Sequence, residues 1–310
     1  MRSAAYNCRM SLSAFQLTPR GLVLLATDAS TPDEFTRTLP RGLYTTFSTN
    51  HNGGRVLGLT AHLDRLYAPA QAGEIFPSAS RADLRLALAK LAAENAPGES
   101  RFRLVLSASD GTVYLIVQPF FPLSHEVYER GVKVITANLV RHDPRRKDSG
   151  FIAESQAART KVGRGVFEVL LTRNGKIYEG MTSNFYAVVP SVIAGRVFFP
   201  TRQSSRAGRT AARNDKATLV TARYGILLGV TRRAILRLAR GDGMGIEYRP
   251  PRVEEDFAEA FLTSSSRGIV PIVSIDGDGV GDGKAGVWTK RLMNAYRAYV
   301  EESSESLIGD

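Results

Sequence analysis

Apolar positions along the chain recur at two periods, one suited to strands and one to helices. "GLVLLAT" (21–27) and "GLYTTFST" (42–49) are β-rich runs, and "SRFRLVLSASDGTVYLIVQPF" (100–120) reads as two strands around an Asp110–Gly111 turn. "GRVLGLTAHLDRLYAPAQA" (54–72) starts as a strand and turns helical near His62. "SRADLRLALAKLAAENA" (80–96) keeps its apolar residues at helical spacing, with Ser80 placed to cap it. A proline-bounded stretch (118–131) reads as a linker. Beyond it "GVKVITANLV" (131–140) opens a second strand set, followed by a short helix, a strand, an Asn174–Gly175 turn and two more strand-like runs. "TRRAILRLARGDG" (231–243) and "WTKRLMNAYRAYVEESSE" (288–305) predict amphipathic helices, and "EAFLTSSSRGIVPIVSIDG" (259–277) reads as strand, small-residue turn, strand. The pattern predicts two α+β domains, 1–118 and 131–310, joined by a linker at 119–130.

Composition narrows the class. The chain has 310 residues, 43% hydrophobic and 23% charged, which is ordinary for a globular protein and long enough for two cores. A single cysteine, Cys8, allows no internal disulfide and fits a reducing, cytoplasmic setting. The N-terminal stretch lacks an apolar signal core, and no run is long enough to span a bilayer, so no membrane partner is expected. The net charge of +11 could serve nucleic acid, but the basic residues are scattered. The densest groups, "RHDPRRK" (141–147) and "TRQSSRAGRTAARNDK" (201–216), are not interleaved with aromatics. Small anions are the better beneficiaries of this field, and no nucleic-acid partner is expected. The 201–216 segment reads as a surface loop or hairpin extension.

Four short motifs carry chemistry together. "HLDRLYAPA" places Arg65 near a helix start. "RRKDSGF" places Lys147 after two arginines, cationic neighbours that favour a neutral amine. "KIYEGMTSNFYAVV" puts Glu179 inside a β-rich run, either on a solvated hairpin or as a carboxylate aimed at a buried cation. "LLGVTR" and "LTSSSRG" are small-residue turns rich in hydroxyls and N–H groups, the kind that cradles phosphate. No Cys/His or carboxylate cluster has metal-ligand spacing. The glycine-rich "DGDGVGDGKAG" (276–286) fits neither a P-loop nor an EF-hand.

In order and spacing these motifs resemble the fold-type IV pyridoxal-phosphate enzymes, which include branched-chain and D-amino-acid aminotransferases and aminodeoxychorismate lyases. The resemblance runs from about Gly42 to Trp288. Lys147 precedes Glu179 by 32 residues (179 − 147), which matches D-amino-acid aminotransferases without a gap; branched-chain enzymes are slightly longer there. The resemblance implies a two-domain α+β fold and pyridoxal 5′-phosphate as cofactor. It implies that Lys147 is the Schiff-base lysine and that Glu179 faces the pyridine nitrogen, keeping it protonated. Arg65, Val230, Thr231, Ser265 and Ser266 would hold the phosphate, and Asn184 would help fix the ring. Lys161, the competing lysine, matches nothing in the pattern, and His62 reads as a packing residue.

Two positions depart from the family. Ile152 stands where branched-chain enzymes carry a tyrosine, and Ser48 where many relatives carry an arginine. Arg101 or Arg103 could supply a carboxylate contact instead, and Tyr44 could line the pocket. The reading is a homodimeric aminotransferase that moves an amino group from a branched-chain or other apolar L-amino acid to a 2-oxo acid. D-amino-acid or (R)-amine transamination and aminodeoxychorismate lysis are the alternatives within the family. A non-catalytic protein using its basic surface is the rival of another class, and Lys147, Glu179 and Arg65 occurring together argue against it.

Overall fold

A computed structural model describes residues 12–71, 75–190 and 217–309. The basic 201–216 segment and Cys8 lie outside the described residues. The first strands are β1 (Ser13–Thr18), β2 (Gly21–Leu25), β3 (Gly42–Ser48), β4 (Arg55–Leu57), β5 (Glu99–Ser107) and β6 (Val113–Phe120), with helices α1 (Pro32–Thr38), α2 (Leu59–Gln71) and α3 (Arg81–Ala93). After them come α4 (His125–Arg130), β7 (Val132–Asn138), α5 (Gly150–Glu154), α6 (Gln156–Arg159), β8 (Glu168–Arg173), β9 (Lys176–Gly180) and β10 (Asn184–Pro190). The chain closes with β11 (Ala217–Thr221), α7 (Val230–Gly241), β12 (Gly245–Tyr248), β13 (Glu259–Ser264), β14 (Gly268–Ile275), β15 (Asp278–Gly279), α8 (Val287–Ser303) and β16 (Ser304–Ser306).

Two compact units result. Unit 1 takes the chain up to Pro122 together with Arg146–Glu154 and the segment from Ser303; unit 2 takes Leu123–Arg145 and Ser155–Glu302. The division differs from a single cut at the linker. Segment 146–154, which carries Lys147, belongs to unit 1 because it bridges the edge of β3: Tyr44 N–H donates to the Lys147 carbonyl at 2.8 Å, and Leu43 pairs with Asp148. The stretch expected as a linker is also more structured. β6 runs on to Phe120, and α4 forms on exposed i,i+4 pairs, His125–Glu129 and Glu126–Arg130.

Unit 1 is built on an antiparallel sheet in the order β2-β1-β6-β5-β3. The two-residue alternation of β5 sorts its side chains. Phe102, Leu104 and Leu106 join Leu59, Leu63 and Leu66 of α2 and Leu84, Leu88 and Leu91 of α3 in the larger core. Each of these leucines is essentially fully buried, and such burial contributes about 1.5–3 kcal/mol per side chain. On the other face Tyr44, Val105 and Ile116 pack with Phe35 of α1 and Ile152 of α5. α1 and α3 start as their sequences dictate. Thr31 with Glu34, and Ser80 with Asp83, form capping boxes.

Unit 2 is a sheet that closes on itself. The order is β12-β11-β10-β13-β14-β7-β8-β9, and β9 pairs back onto β10. Leu170, Ile177, Phe185, Leu262, Val270 and Ile272 fill its core. The β8–β9 hairpin turns at Asn174 and Gly175, both at positive φ (51° and 68°), the conformation that an Asn-Gly pair favours. The closing contact is one residue pair, Asn184 opposite Glu179.

Candidate active site

The acid inside the β-rich run is a buried group. Glu179 is 2% exposed at the end of β9. Its Oε1 accepts from Arg141 Nε at 3.2 Å, and its Oε2 accepts from the Leu227 N–H at 3.0 Å. Arg141, also buried, donates from Nη2 to the Met181 carbonyl at 3.3 Å. A carboxylate taken out of water is tolerable because a cation and a backbone donor replace its hydration. Across the closing pair, Asn184 donates from Nδ2 to the Leu227 carbonyl at 2.8 Å. Glu179 and Asn184 therefore hold both polar groups of Leu227 and fix the loop leading into α7. The approach is close: a Cβ at Gly229 would collide with Asn184 Oδ1, so any side chain there must displace the amide that holds Leu227.

That loop delivers an open helix start. Gly229 is the N-cap of α7 and supplies no side-chain hydrogen bond, and the first turn holds no acidic residue. Its leading N–H groups, those of Val230 and Thr231 among them, present the positive end of a 12-residue helix. Thr231 Oγ1 lies 3.5 Å from Ser265 Oγ, on the turn between β13 and β14 that also carries Ser266. Two hydroxyls converging on an uncapped helix start suit a phosphate. Behind them Arg232 is buried and committed to Thr221 Oγ1 and the Ala222 carbonyl, at 2.9 and 2.7 Å.

Unit 1 gathers another group. The Lys147 backbone is clamped to β3, and the clamp continues as Ser149 N–H donates to the Gly42 carbonyl and Gly42 N–H donates to Ser149 Oγ, at 2.8 and 3.0 Å. Asp148 is held by Arg41 at 2.9 Å. The side chain of Lys147 places Nζ 4.7 Å from the centre of the Tyr44 ring. His62 of α2 is fully buried, with Nδ1 2.7 Å from Thr45 Oγ1. Burial pushes its pKa well below the ordinary 6.5, and the charges of Arg65 and Lys147 push it further. The same effect places Arg65 and Lys147 within electrostatic reach of one histidine. Arg103 sits over the other contact of Tyr44, 5.0 Å from the ring centre, bound to Asp33, to Thr36 Oγ1 at 3.2 Å and to Thr46 Oγ1 at 3.1 Å. Arg101 lies two residues along β5, opposite Ser48.

The expected residues thus fall into two sets. Lys147, Arg65, Tyr44, Arg101 and Arg103 belong to unit 1; Glu179, Asn184, Val230, Thr231, Ser265 and Ser266 belong to unit 2. Lys161 is exposed, and Ile152 is core. Two residues escaped sequence reasoning. Arg141 was hidden in a basic run, its one distinguishing signal being that it directly follows an apolar strand-like stretch. Asp33 had no signal beyond its place in the first turn of a capped helix.

Residues 42–275 match the family model "Amino-transferase class IV". A D-alanine aminotransferase of Bacillus licheniformis is 26% identical over 260 residues, 79% of this chain and 83% of that protein. A branched-chain-amino-acid aminotransferase of Pseudomonas aeruginosa is 27% identical over 275 residues, 82% of this chain and 81% of its own length. Among solved structures, a T.th. branched-chain amino acid aminotransferase with pyridoxamine 5′-phosphate superposes at a TM-score of 0.71 with 17% identity, covering 95% of this chain and 98% of that one. A hypothetical aminotransferase of Mycobacterium tuberculosis in its PLP-bound form superposes at 0.66 with 19% identity, over 94% and 99% of the two chains.

Proposed function

The chain belongs to the class IV aminotransferases, which are pyridoxal-phosphate-dependent transaminases, and on that premise we propose that it moves an amino group from an apolar amino acid, first of all a branched-chain L-amino acid, to a 2-oxo acid. The observation that carries this reading is the buried Glu179, held by Arg141 and the Leu227 N–H at the closing point of the unit 2 sheet. Bound pyridoxal phosphate supplies an aldehyde that takes up the amino group and a ring that draws electrons from the substrate Cα.

The residues of this chain do the rest. Glu179 holds a proton on the pyridine nitrogen, and Arg141 and Leu227 keep its carboxylate from turning away. The N–H groups of Val230 and Thr231, with the hydroxyls of Thr231, Ser265 and Ser266, bind the phosphate, and Arg65 adds a charged fork. Asn184 sets the loop that presents the helix start. Lys147 would anchor the cofactor through Nζ, and as a free amine that Nζ would take the proton from the substrate Cα and deliver it to the carbon of the cofactor's aldehyde group. Its clamped backbone and the Tyr44 ring limit where that amine can go. Apolar substrates are supported by Tyr44 and by the two departures, Ile152 and Ser48, none of which brings a charge to this face. The same reading takes the enzyme to be a cytoplasmic homodimer.

A second reading has its own observation. The ungapped spacing from Lys147 to Glu179, with the D-alanine aminotransferase likeness, favours a D-amino-acid donor. One experiment separates these. The purified holoenzyme is mixed with a panel of L- and D-amino acids and (R)-amines, and the visible absorbance of the lysine-bound cofactor is followed. Loss of that absorbance with apolar L-amino acids, restored by 2-oxo acids, is the expected result. Response to D-amino acids alone selects the second reading. No response to any donor, with pyruvate released from aminodeoxychorismate, overturns both. Lys147→Ala should lose the absorbance and the turnover together.

A further inference from the structure

We propose that Asp33 is a specificity-determining residue: its carboxylate occupies Arg103 and so denies that arginine to the side-chain carboxylate of a dicarboxylic substrate. The inference rests on the transaminase reading, because it takes the amine of Lys147 as the reacting centre. Arg103 and Lys147 lie against one ring, at 5.0 and 4.7 Å from the centre of Tyr44. An arginine that shares an aromatic ring with the reacting amine is a ready receptor for a carboxylate, because its planar fork matches two oxygens. In this chain two of the three nitrogens of that receptor are already engaged. Nη1 is bound to Asp33 Oδ1 and Thr36 Oγ1, and Nε to Thr46 Oγ1.

The alternative is a salt bridge that only stabilises the fold, and the surroundings argue against it. The neighbouring core is apolar, formed by Val105, Ile116, Phe35 and Ile152. An aliphatic residue at 103 would fill it without desolvating a charge. The burial is also one-sided. The side chain of Arg103 is 8% exposed and that of Asp33 is 26% exposed, so the carboxylate approaches from the open side, as a substrate would. α1 holds it there firmly. Thr31 and Glu34 form a capping box, Pro32 starts the helix, and Asp33 stands in its first turn, where a carboxylate is favoured. The mask is therefore a fixed part of the site, and substrates with uncharged side chains meet a neutralised wall.

The test compares glutamate with leucine as amino donors to the purified holoenzyme, in the enantiomer it accepts, and reads the ratio of their kcat/KM values. Asp33→Asn should raise the glutamate-to-leucine ratio by about tenfold, the worth of one charge-assisted hydrogen bond. Asp33→Asn combined with Arg103→Met should bring the ratio back to that of the native enzyme. The double variant leaves neither a buried cation nor an unpaired carboxylate, so it gives a second reading that does not depend on Asp33→Asn folding well by itself. A glutamate-to-leucine ratio in the double variant well below that of the native enzyme would show that the arginine already serves substrate and overturns the proposal. An unshifted ratio in Asp33→Asn, with native cofactor absorbance and turnover of leucine, overturns it as well and leaves the transaminase reading standing. Failure of the native enzyme with every donor sinks both.

Discussion

Two buried arginines, one in each unit, are held by carboxylates, and the contrast between them is instructive. In unit 2, Arg141 and Glu179 are both almost fully buried, with side chains 4% and 3% exposed. In unit 1, Arg103 is buried while Asp33 is a quarter exposed. The Glu179 pair is set between a strand end and a loop whose backbone also donates to the acid. The Asp33 pair hangs from a seven-residue helix over the sheet. Burial of both partners makes a pair that is costly to break from either side. Burial of one makes a pair whose open partner stands on the side from which a ligand's carboxylate would reach the arginine. The first arrangement holds an acid in position, and the second keeps an arginine occupied.

The largest expected effect breaks the closed pair. Glu179→Ala leaves Arg141 buried without its carboxylate and should cost about 3–5 kcal/mol of stability, read by urea unfolding. Transamination should be lost at the same time. If the cost is no greater than that of Asp33→Ala, the contrast between the two pairs fails. Next comes the loop that Glu179 and Asn184 grip. Gly229→Ala forces a methyl against Asn184 and should cost about 1–3 kcal/mol. Cofactor affinity should fall with it, measured by titrating the apoenzyme with pyridoxal phosphate.

Unit 1 answers to pH instead. His62 stays neutral in the folded protein, because burial and then Arg65 and Lys147 lower its pKa, while in the unfolded chain it takes a proton near 6.5. Its contribution is complete above that value and is lost as pH falls below it toward the folded pKa, by up to about 1.4 kcal/mol per unit. Melting curves between neutral and mildly acidic pH should show this slope, and His62→Gln should flatten it. The smallest effect loosens the open pair. Thr31→Ala removes the cap of α1 and should cost about 1 kcal/mol. It should also raise relative turnover of glutamate slightly, since Asp33 is then held less firmly.

What the sequence made legible followed from local rules. The strands flanking Asp110–Gly111, the Ser80 cap and the Asn174–Gly175 hairpin are each decided by a few neighbouring residues, and each stands where the pattern places it. Glu179 was legible for a related reason, since an acid within an apolar β-run needs a partner. What stayed hidden depends on residues far apart in the chain. The bridge that returns Lys147 to β3 leaves no local pattern, so a single domain cut misplaced the segment around it. Arg141 looked like one more charge in a basic cluster, and Asp33 like ordinary first-turn chemistry. α4 was missed because it is only six residues long, and its two apolar residues, Val127 and Tyr128, which pack on the unit 2 core, are too few to show a helical period.

The clamp on Lys147 has a consequence for the order in which this protein comes together. Arg41 and Asp148, which flank it, are 107 residues apart in the chain. Closing so wide a loop carries an entropic penalty that local contacts do not offset until both ends have found each other. The antiparallel sheet can form from the first 120 residues, but its reactive lysine arrives only with a later stretch of chain. Cofactor capture should therefore be a late event in refolding, trailing the recovery of secondary structure, and a stopped-flow comparison of the two signals would time it.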